Sequence, residues 1–366
     1  MKTKKFFSQF DYTLFFLTLA LSLVGVFMIG SASASYETHW RYVIMQSAAL
    51  IIGLVGALVL SAVPYKTIGK LRIPIAIIGI ALLGVVLVIG VGSEIGTKGW
   101  INIGGLSLQP AEIAKICFII TFAYHLSRKE DRINQPRTLA FLALHLAIPS
   151  GLVLLQPDFG SAMVFVFIFV ILLFVAGISY KYVLGALGVL LALLPLGWFI
   201  MKDYQKNRIR VFFHPESDPL GSGYHVIQSK IAIGSGQLFG KGYLHGTQTQ
   251  LGYLPEKQTD FIFAVVGEEF GLIGCLVVVA LLIAIVVRII AIARRADSPY
   301  GEYLCMGVAA MLLFHTVENV GMCIGLMPVT GIPLPFMSYG GSSLIANFLA
   351  IGLVLSVRRT ANKRAL

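Results

Sequence analysis

Residues 261–293 read FIFAVVGEEFGLIGCLVVVALLIAIVVRIIAIA, an apolar run whose charged side chains are Glu268, Glu269 and Arg288. A helix needs about 20 apolar residues to cross a bilayer. Because this run is longer than one crossing requires, we expect one long helix that tilts within the membrane or projects into the cytoplasm.

The composition of the whole chain agrees with a protein built from such helices. Its 366 residues are 57% apolar and 12% charged, whereas a soluble domain carries about 25% charged residues. The mean hydropathy is +0.86. These values exclude a soluble enzyme, a disordered chain and a secreted domain held together by disulfide bonds.

Nine further apolar runs accompany the first, at 12–31, 42–63, 73–92, 110–126, 138–155, 160–177, 180–201, 302–325 and 342–357. In hydrocarbon the backbone polar groups of a spanning segment must pair with one another, which favours helices. The sequence therefore predicts an all-α polytopic membrane protein with about ten transmembrane helices, forming a single transmembrane domain over residues 1–366.

Lysine and arginine are distributed unevenly between the loops. They concentrate in the N-terminal segment, in the short loops after the second, fourth and eighth runs, and at the C-terminus. The positive-inside rule then predicts that both termini are cytoplasmic. Residues 202–260, between helices 7 and 8, become one long extracytoplasmic loop. The net charge of +11 reflects this topology and anionic lipid headgroups rather than nucleic acid binding.

The long loop contains two local patterns. Residues 224–233 predict a short amphipathic helix, with Ile227 and Ile231 on its apolar face and Ser229 facing elsewhere. The glycine-rich stretch 234–242 does not match a P-loop. It is compatible with tight turns, or with backbone amides that approach a lipid-borne pyrophosphate.

Ionisable side chains within the predicted spans have two interpretations. Glu112 and Lys115 lie on one face of the fourth span, and Glu268, Glu269 and Glu318 lie in later spans. Such residues mark a functional site, such as a proton path, or they are paired groups that fix helix packing. The sequence leaves both interpretations open.

Two aspartates lie at the predicted outer ends of spans. Asp158 lies between spans five and six, and Asp260 lies where the long loop re-enters the membrane. Asp260 suits a helix N-cap, and an aspartate at a membrane–water boundary also suits a general base. The two roles are compatible with each other.

Several long motifs resemble the SEDS glycosyltransferases (shape, elongation, division and sporulation), over nearly the whole chain. They are residues 98–100, 109–115, 156–160, 221–225, 228–236, 254–263, 268–271 and 333–342. Residues 240–248 resemble the elongation type rather than the division type. Gly267 replaces an alanine common in the family, and Glu318 stands where an uncharged residue is expected.

The resemblance implies that the chain polymerises lipid II, a disaccharide-pentapeptide carried on undecaprenyl pyrophosphate, during cell elongation. It implies an essential carboxylate at Asp260, which we interpret as the general base on the acceptor 4-hydroxyl, and an important one at Asp158. We expect further substrate contacts from loop residues: Lys98, Trp100, Arg208, Arg210, His225, Gln228, Lys230, Lys241, Glu256 and Lys257. Of these, Arg208, Arg210, Lys230 and Lys241 could bind the pyrophosphate or simply face solvent.

The sequence contains no evident cofactor motif and no metal-ligand pattern, although a divalent cation could share the pyrophosphate charge. The resemblance implies a bacterial cytoplasmic (inner) membrane location, a class B penicillin-binding protein as transpeptidase partner, and other rod-complex membrane proteins as neighbours. Two alternatives remain, a lipid II flippase with essential groups near the midplane and a non-catalytic scaffold of the elongation machinery.

Overall fold

The computed structural model describes residues 9–91, 99–103, 106–201, 203–219 and 221–361. The helices before the long loop are α1 (Tyr12–Ser33), α2 (His39–Ala62), α3 (Tyr65–Lys70), α4 (Arg72–Ile89), α5 (Pro110–Ser127), α6 (Pro136–Leu155), α7 (Phe159–Val175) and α8 (Tyr180–Ile200). The later helices are α9 (Asp203–Phe213), α10 (Ser222–Ser235), α11 (Thr247–Gln250), α12 (Ile262–Ala293), α13 (Pro299–Cys323) and α14 (Gly341–Thr360). Single 3₁₀ turns occupy Glu130–Arg132 and Pro215–Ser217.

Each of the ten predicted spans falls on a helix of the structure. Within the described ranges, seven helices are long and apolar enough to cross a membrane by length and composition, namely α1, α2, α4, α6, α12, α13 and α14. The other three predicted spans fall on α5, α7 and α8, and α7 is apolar but only 17 residues long. A helical, multi-pass membrane protein is therefore confirmed, and the count of ten spans stays a prediction.

The helix starts follow local sequence rules. Asp11 caps α1 by accepting a hydrogen bond from the Leu14 amide at 3.0 Å, and Ser298 caps α13. Pro110 and Pro299 occupy the first positions of α5 and α13. These residue types satisfy, or remove, amides that lack an intrahelical partner.

A short hairpin departs from the all-helical prediction. Strands β1 (Ile101–Ile103) and β2 (Leu106–Leu108) pair antiparallel, with Ile101 opposite Leu108. Trp100 extends this hairpin by accepting a hydrogen bond from the Val91 amide at 2.8 Å. The hairpin lies between α4 and α5, outside the predicted spans.

Small residues allow α2 and α14 to pack closely. A Cβ atom at Gly352 would lie 2.7 Å from the Ala57 carbonyl oxygen, and one at Gly53 would lie 2.9 Å from the Phe348 ring. Glycines at a helix–helix contact let the backbones approach, which is how membrane helices gain packing energy. The pair α2–α14 thus forms a fixed part of the bundle.

One ion-pair cluster joins three helix ends. The buried Asp11 carboxylate binds the Arg288 guanidinium through two nitrogens, at 3.0 and 2.8 Å, and Arg358 lies 3.8 Å away. Asp11 lies at the N-terminal end of α1, and Arg288 and Arg358 lie near the C-terminal ends of α12 and α14. These three helix ends therefore lie at the same end of the bundle. The side of the membrane on which this end lies stays a prediction.

The long apolar run does not form one continuous helix. Gly271 interrupts α12 with φ 66° and ψ −162°, a conformation that is essentially restricted to glycine. At the break, amides of the long loop bond the carbonyls of α12: the Lys241 amide donates to the Glu268 carbonyl and the Gly242 amide to the Glu269 carbonyl, at 3.0 Å each. The run thus forms a helix with a break at Gly271, and its tilt or projection into the cytoplasm stays a prediction.

These contacts also bear on the glycine-rich stretch 234–242. Its Gly240 amide bonds the Gly236 carbonyl at 2.7 Å, so three consecutive amides are engaged within the protein. Gly240 itself adopts φ 79° and packs against the backbone at Glu269. The interpretation as tight turns is supported, because these amides are not available to a phosphate.

The predicted amphipathic helix is confirmed as α10, but its buried face was assigned wrongly. Val226, Ser229 and Ala232 are 5%, 0% and 0% exposed, whereas Ile231 is 44% exposed. Ser229 donates to the Cys323 carbonyl at 2.8 Å. The small and polar residues therefore face protein, and the larger Ile231 faces outward.

We predict that Gly271→Ala destabilises the protein by about 2 kcal/mol or more, since the φ/ψ strain alone costs about 1–3 kcal/mol. The new Cβ would also lie 2.5 Å from the Gly240 nitrogen and the Leu238 oxygen. Thermal unfolding in detergent measures the effect. Gly177→Ala is the matched control, because Gly177 has φ 81° and nothing within 4 Å of its Cβ position. Equal melting temperatures for the two variants would contradict the prediction.

Candidate active site

The main chain at Asp260 is fixed to α13. The Asn319 side-chain amide donates to the Asp260 carbonyl at 2.8 Å and to the Ile332 carbonyl at 2.8 Å. The Cys323 thiol lies 3.7 Å from the same Asp260 oxygen. One asparagine therefore joins the start of α12 to the segment 324–340, which connects α13 and α14.

The position of Asp260 differs from that of a helix N-cap. Phe261 is the N-cap of α12, and it makes no side-chain capping hydrogen bond. Asp260 precedes it by one residue and is half-buried. The capping role considered from sequence is therefore not supported.

The Asp260 carboxyl is poised to exchange a proton near neutral pH. The pKa of Asp260 is raised from the ordinary 3.8 to about 7: burial is the largest cause, the negative charge of Glu256 adds to it, and Arg208 opposes both. A base works best when its pKa lies close to the working pH. A carboxyl with this pKa can take up or release a proton near neutral pH.

Gly331 closes one side of this carboxyl. It adopts φ 76°, and a Cβ atom added there would lie 3.3 Å from Asp260 Oδ2. The left-handed conformation and the close approach both favour glycine. The segment 324–340 therefore lies directly against the Asp260 side chain.

Asp158 lies on the other side of the same segment. It is 8% exposed and caps α7 by accepting from the Ser161 amide at 2.9 Å. Gln109 Nε2 lies 3.4 Å from its Oδ2. A Cβ atom at Gly160 would lie 3.2 Å from the Thr330 carbonyl oxygen. Thr330 and Gly331 are thus in contact with the neighbourhoods of both aspartates.

Two of the predicted cationic contacts lie beside this segment. Arg208, on α9, lines a small cleft with Gly325, Met327 and other residues of α9, α10 and the segment. The exposed Lys230 side chain lies across Gly325, where an added Cβ would overlap it. Arg208 is also close enough to lower the pKa of Asp260. Of these two cations, Arg208 therefore acts directly on the Asp260 carboxyl.

His225 and Glu256 complete the surroundings of Asp260. The His225 ring packs edge-on against Phe261 with centroids 5.9 Å apart. Burial lowers the pKa of His225, and Glu256 and Asp218 oppose this effect.

Glu256 is exposed, accepts from the Thr259 hydroxyl at 2.9 Å and has φ 46°. A non-glycine residue with positive φ is uncommon, and such strain often occurs at functional sites.

Two predicted substrate contacts have partners inside the protein. The Lys257 ammonium is fully buried and donates to Ser35 Oγ and the Thr249 carbonyl, each at 2.6 Å, over the Tyr36 ring. Lys241 forms an ion pair with Glu268 at 2.9 Å. These placements favour structural roles for both lysines.

The remaining predicted contacts are more dispersed. Trp100 belongs to the hairpin region, Arg210 is exposed on α9, and Gln228 has a buried Oε1 without a partner among the described residues. Lys98 lies outside the described residues.

The intramembrane acids are held by neighbouring polar groups. Lys115 Nζ lies 2.8 Å from Glu112 and 3.0 Å from His315 Nε2, and all three side chains are buried. Glu318 accepts from the Thr330 hydroxyl at 2.8 Å. These pairings favour the packing interpretation for Glu112 and Lys115, and they connect Glu318 to the segment beside Asp260.

Glu268 and Glu269 have separate partners, as expected for adjacent residues of a helix. Glu268 accepts from the Gln248 and Thr249 amides at 2.8 and 2.9 Å, in addition to Lys241. Glu269 accepts from the Ser31 hydroxyl. Both acids therefore fasten the long loop and α1 to α12.

Sequence reasoning missed His315, Asn319, Thr330 and Gly331. Asn319 and His315 lie in an apolar helix without a motif of their own, and only the structure shows what they face. The Thr-Gly-Ile-Pro order at 330–333 indicates a turn, but it does not indicate a neighbour. In the described part of the chain, no group of three or more His, Cys, Asp or Glu residues could hold a metal ion.

The fold and this site define a multi-pass helical membrane protein with a carboxyl and nearby arginine at one end of the bundle. The cell cycle protein family that comprises FtsW, RodA and SpoVE matches residues 12–363. The chain therefore belongs to this family, the SEDS peptidoglycan glycosyltransferases.

Individual relatives cover almost the full chain. It is 40% identical to the peptidoglycan glycosyltransferase MrdB of Escherichia coli (strain K12) over 348 residues, which are 95% of this chain and 93% of that protein. It is 36% identical to the probable peptidoglycan glycosyltransferase FtsW of Trichlorobacter lovleyi over 358 residues, 96% of this chain and 93% of that one.

Solved structures agree with the fold. A chain from work on "structural coordination of polymerization and crosslinking by a peptidoglycan synthase complex" matches with a TM-score of 0.84 and 32% identity, covering 97% of this chain and 99% of that chain. The rod shape determining protein RodA of Thermus thermophilus matches with a TM-score of 0.72 and 31% identity, covering 97% and 98%.

We predict that Asp260→Asn stabilises the protein at high pH. Because the folded state raises the pKa of Asp260 from 3.8 to about 7, it binds the proton more tightly than the unfolded state, so this contribution to stability is lost as pH rises through that window. Asparagine is uncharged throughout. We therefore expect a higher melting temperature than wild type at pH 8.5, and a difference that shrinks towards pH 5.

Asp131→Asn, at an exposed side chain, is the control for the loss of one negative charge. A pH-independent difference between Asp260→Asn and wild type would show that burial does not raise the pKa of this carboxyl.

Proposed function

We propose that this chain polymerises lipid II into glycan strands of peptidoglycan, with Asp260 as the general base. The observation that carries the proposal is a carboxyl with a pKa of about 7, near Arg208, at the end of a membrane bundle. Membership of a family of peptidoglycan glycosyltransferases supports the reaction class.

The reaction forms one glycosidic bond and breaks one bond to phosphate. The acceptor 4-hydroxyl oxygen attacks the anomeric carbon of the donor sugar, and its proton passes to the Asp260 carboxylate. The bond from that carbon to the pyrophosphate oxygen breaks, and undecaprenyl pyrophosphate leaves with the electron pair. Attack opposite the leaving group inverts the anomeric centre. Proton transfer to a positioned base contributes about 10²–10⁴-fold to such a step.

Cations near the base would bind the leaving group. Arg208 and Lys230 lie beside the 324–340 segment, and guanidinium groups bind phosphate oxygens in pairs. Arg210, exposed on the same helix as Arg208, would extend this surface, and a divalent cation could share the charge. Asp158, Trp100, His225, Gln228 and Glu256 would bind sugar or peptide groups, and Lys98 stays a further candidate.

The proposed topology has ten spans in a single transmembrane domain, with both termini in the cytoplasm. Residues 202–260 then lie outside the bacterial inner membrane, where no nucleotide donor exists and the energy must arrive with the lipid-linked sugar. The cluster of Asp11, Arg288 and Arg358 would form the cytoplasmic end of the bundle.

The proposed partner is a class B penicillin-binding protein that cross-links the new strands. Support comes from the structural similarity to a chain of a peptidoglycan synthase complex. The similarity to MrdB and RodA supports a role in cell elongation, with other rod-complex membrane proteins nearby.

A lipid II flippase is less well supported. Transport of this kind would use ionisable groups near the midplane, yet Glu112, Lys115, Glu268 and Glu269 each have a polar partner within the protein. A non-catalytic scaffold gives no reason for a carboxyl with a raised pKa beside an arginine. The polymerisation assay distinguishes these alternatives.

We predict that Asp260→Asn lowers lipid II polymerisation by about 10²–10⁴-fold, since it removes the proton acceptor. Purified protein, with its transpeptidase partner, is given labelled lipid II in detergent, and glycan strand length is read on a gel. Asp131→Asn should keep the wild-type rate. A normal ladder from folded Asp260→Asn would overturn the proposal, and no ladder from any folded protein would redirect the test to lipid II translocation in vesicles.

The pH dependence of polymerisation gives a second test. Activity should fall on the acid side with a midpoint near pH 7, because the protonated carboxyl cannot accept a proton. Arg208→Gln removes a charge that lowers the pKa of Asp260, so the midpoint should move to higher pH. Lys206→Gln, on the same helix, is the control. A midpoint that Arg208→Gln leaves in place, or moves to lower pH, would contradict this electrostatic link.

A further inference from the structure

The segment 324–340 is held at two points on either side of Gly331. On one side, the Thr330 hydroxyl donates to Glu318 Oε1 at 2.8 Å. On the other, the Ile332 carbonyl accepts from the Asn319 amide at 2.8 Å. Glu318 and Asn319 are consecutive residues of α13, and they are 5% and 0% exposed. The same helix end therefore fixes the residue before Gly331 and the residue after it.

We propose that Glu318 and Thr330 are positioning residues for Asp260. Their hydrogen bond places Thr330, and through it Gly331, against the Asp260 carboxyl, which sets the orientation of the base and limits its access to water. This inference rests on the proposed function, because it assigns the two residues a role in the step that Asp260 performs.

The contact between Gly331 and Asp260 leaves little freedom for movement. A Cβ atom added at Gly331 would lie 3.3 Å from Asp260 Oδ2, so a shift of this backbone changes the space beside the carboxyl. Misplacement of a catalytic group by about 1 Å can cost about 10²-fold in rate.

The hydrogen bond also reaches the second aspartate. The Thr330 carbonyl oxygen lies 3.2 Å from the Cβ position of Gly160, two residues after Asp158. Thr330 thus touches the start of α7 with its main chain and α13 with its side chain. Loss of the Glu318 contact would loosen the segment between both aspartates.

The first test replaces the Thr330 hydroxyl with a methyl group and keeps the shape of the side chain. Thr330→Val should lower kcat for polymerisation by about tenfold and leave KM for lipid II within about twofold, since orientation of the base affects the chemical step more than binding. Thr330→Ser restores the hydroxyl and should recover most of kcat. Thr316→Val is the matched control, because Thr316 is a buried threonine of α13 whose hydroxyl bonds the Leu312 carbonyl of its own helix at 2.8 Å.

A double-mutant cycle tests the pair directly. Glu318→Leu removes the acceptor at similar volume and should reduce kcat as Thr330→Val does. The variant with both substitutions should be no worse than either alone, because residues that act through one contact are not additive. Glu318→Gln keeps an acceptor oxygen and should retain most of the activity.

Gly331→Ala provides a variant that does not depend on the hydrogen bond. It should lower kcat more than Gly177→Ala, which introduces a similar backbone strain where nothing lies within 4 Å. Melting temperatures of all variants separate effects on folding from effects on the chemical step.

The outcomes distinguish the two levels of inference. If folded Asp260→Asn polymerises at the wild-type rate, the proposed function fails. If Asp260→Asn is inactive but Thr330→Val matches Thr316→Val, or Thr330→Ser gives no recovery, or the cycle is additive, then the positioning role is overturned while the proposed function stands.

Discussion

The break at Gly271 is the constraint on which the geometry of the site depends. A helix that stops within the bundle leaves carbonyls without partners, and such groups cannot remain unpaired in hydrocarbon. Here the Lys241 and Gly242 amides supply the missing hydrogen bonds. The long loop therefore packs against α12 at the break, and α10 lies alongside α12.

The break also divides α12 into a short first part, residues 262–270, and a longer second part. Residues 262–269 are buried, so the short part is a fixed support with Asp260 directly ahead of it. Ser31 of α1 binds Glu269, and Asn319 of α13 binds the Asp260 carbonyl. Contacts from two other helices, α1 and α13, thus hold this part of the chain, which explains how the main chain at Asp260 is kept in one place.

The sequence was sufficient for the helices and for the family, because hydropathy over about 20 residues and long ordered motifs are strong signals. It was insufficient to decide which side chains of a short helix face the protein. In α10, Ile227 and Ile231 look like a core-facing pair, yet Ser229 is fully buried and Ile231 is exposed. Ser229 bonds the Cys323 carbonyl of α13, and small side chains at such a contact let two helices approach closely. Hydrophobicity alone therefore assigned the wrong face.

The lysines show a related limit, and they explain why a basic loop is not by itself a binding surface. An ammonium group that is removed from water needs a polar partner. Lys115, Lys241 and Lys257 have such partners inside the protein, namely Glu112, Glu268 and the Thr249 carbonyl. The sequence alone cannot distinguish these lysines, which have partners inside the protein, from Arg208 or Lys230, which are candidates for substrate binding. The separation depends on which side chains the fold places beside each lysine. For Lys241 this follows from backbone hydrogen bonding at the Gly271 break, where the Lys241 and Gly242 amides bond the Glu268 and Glu269 carbonyls.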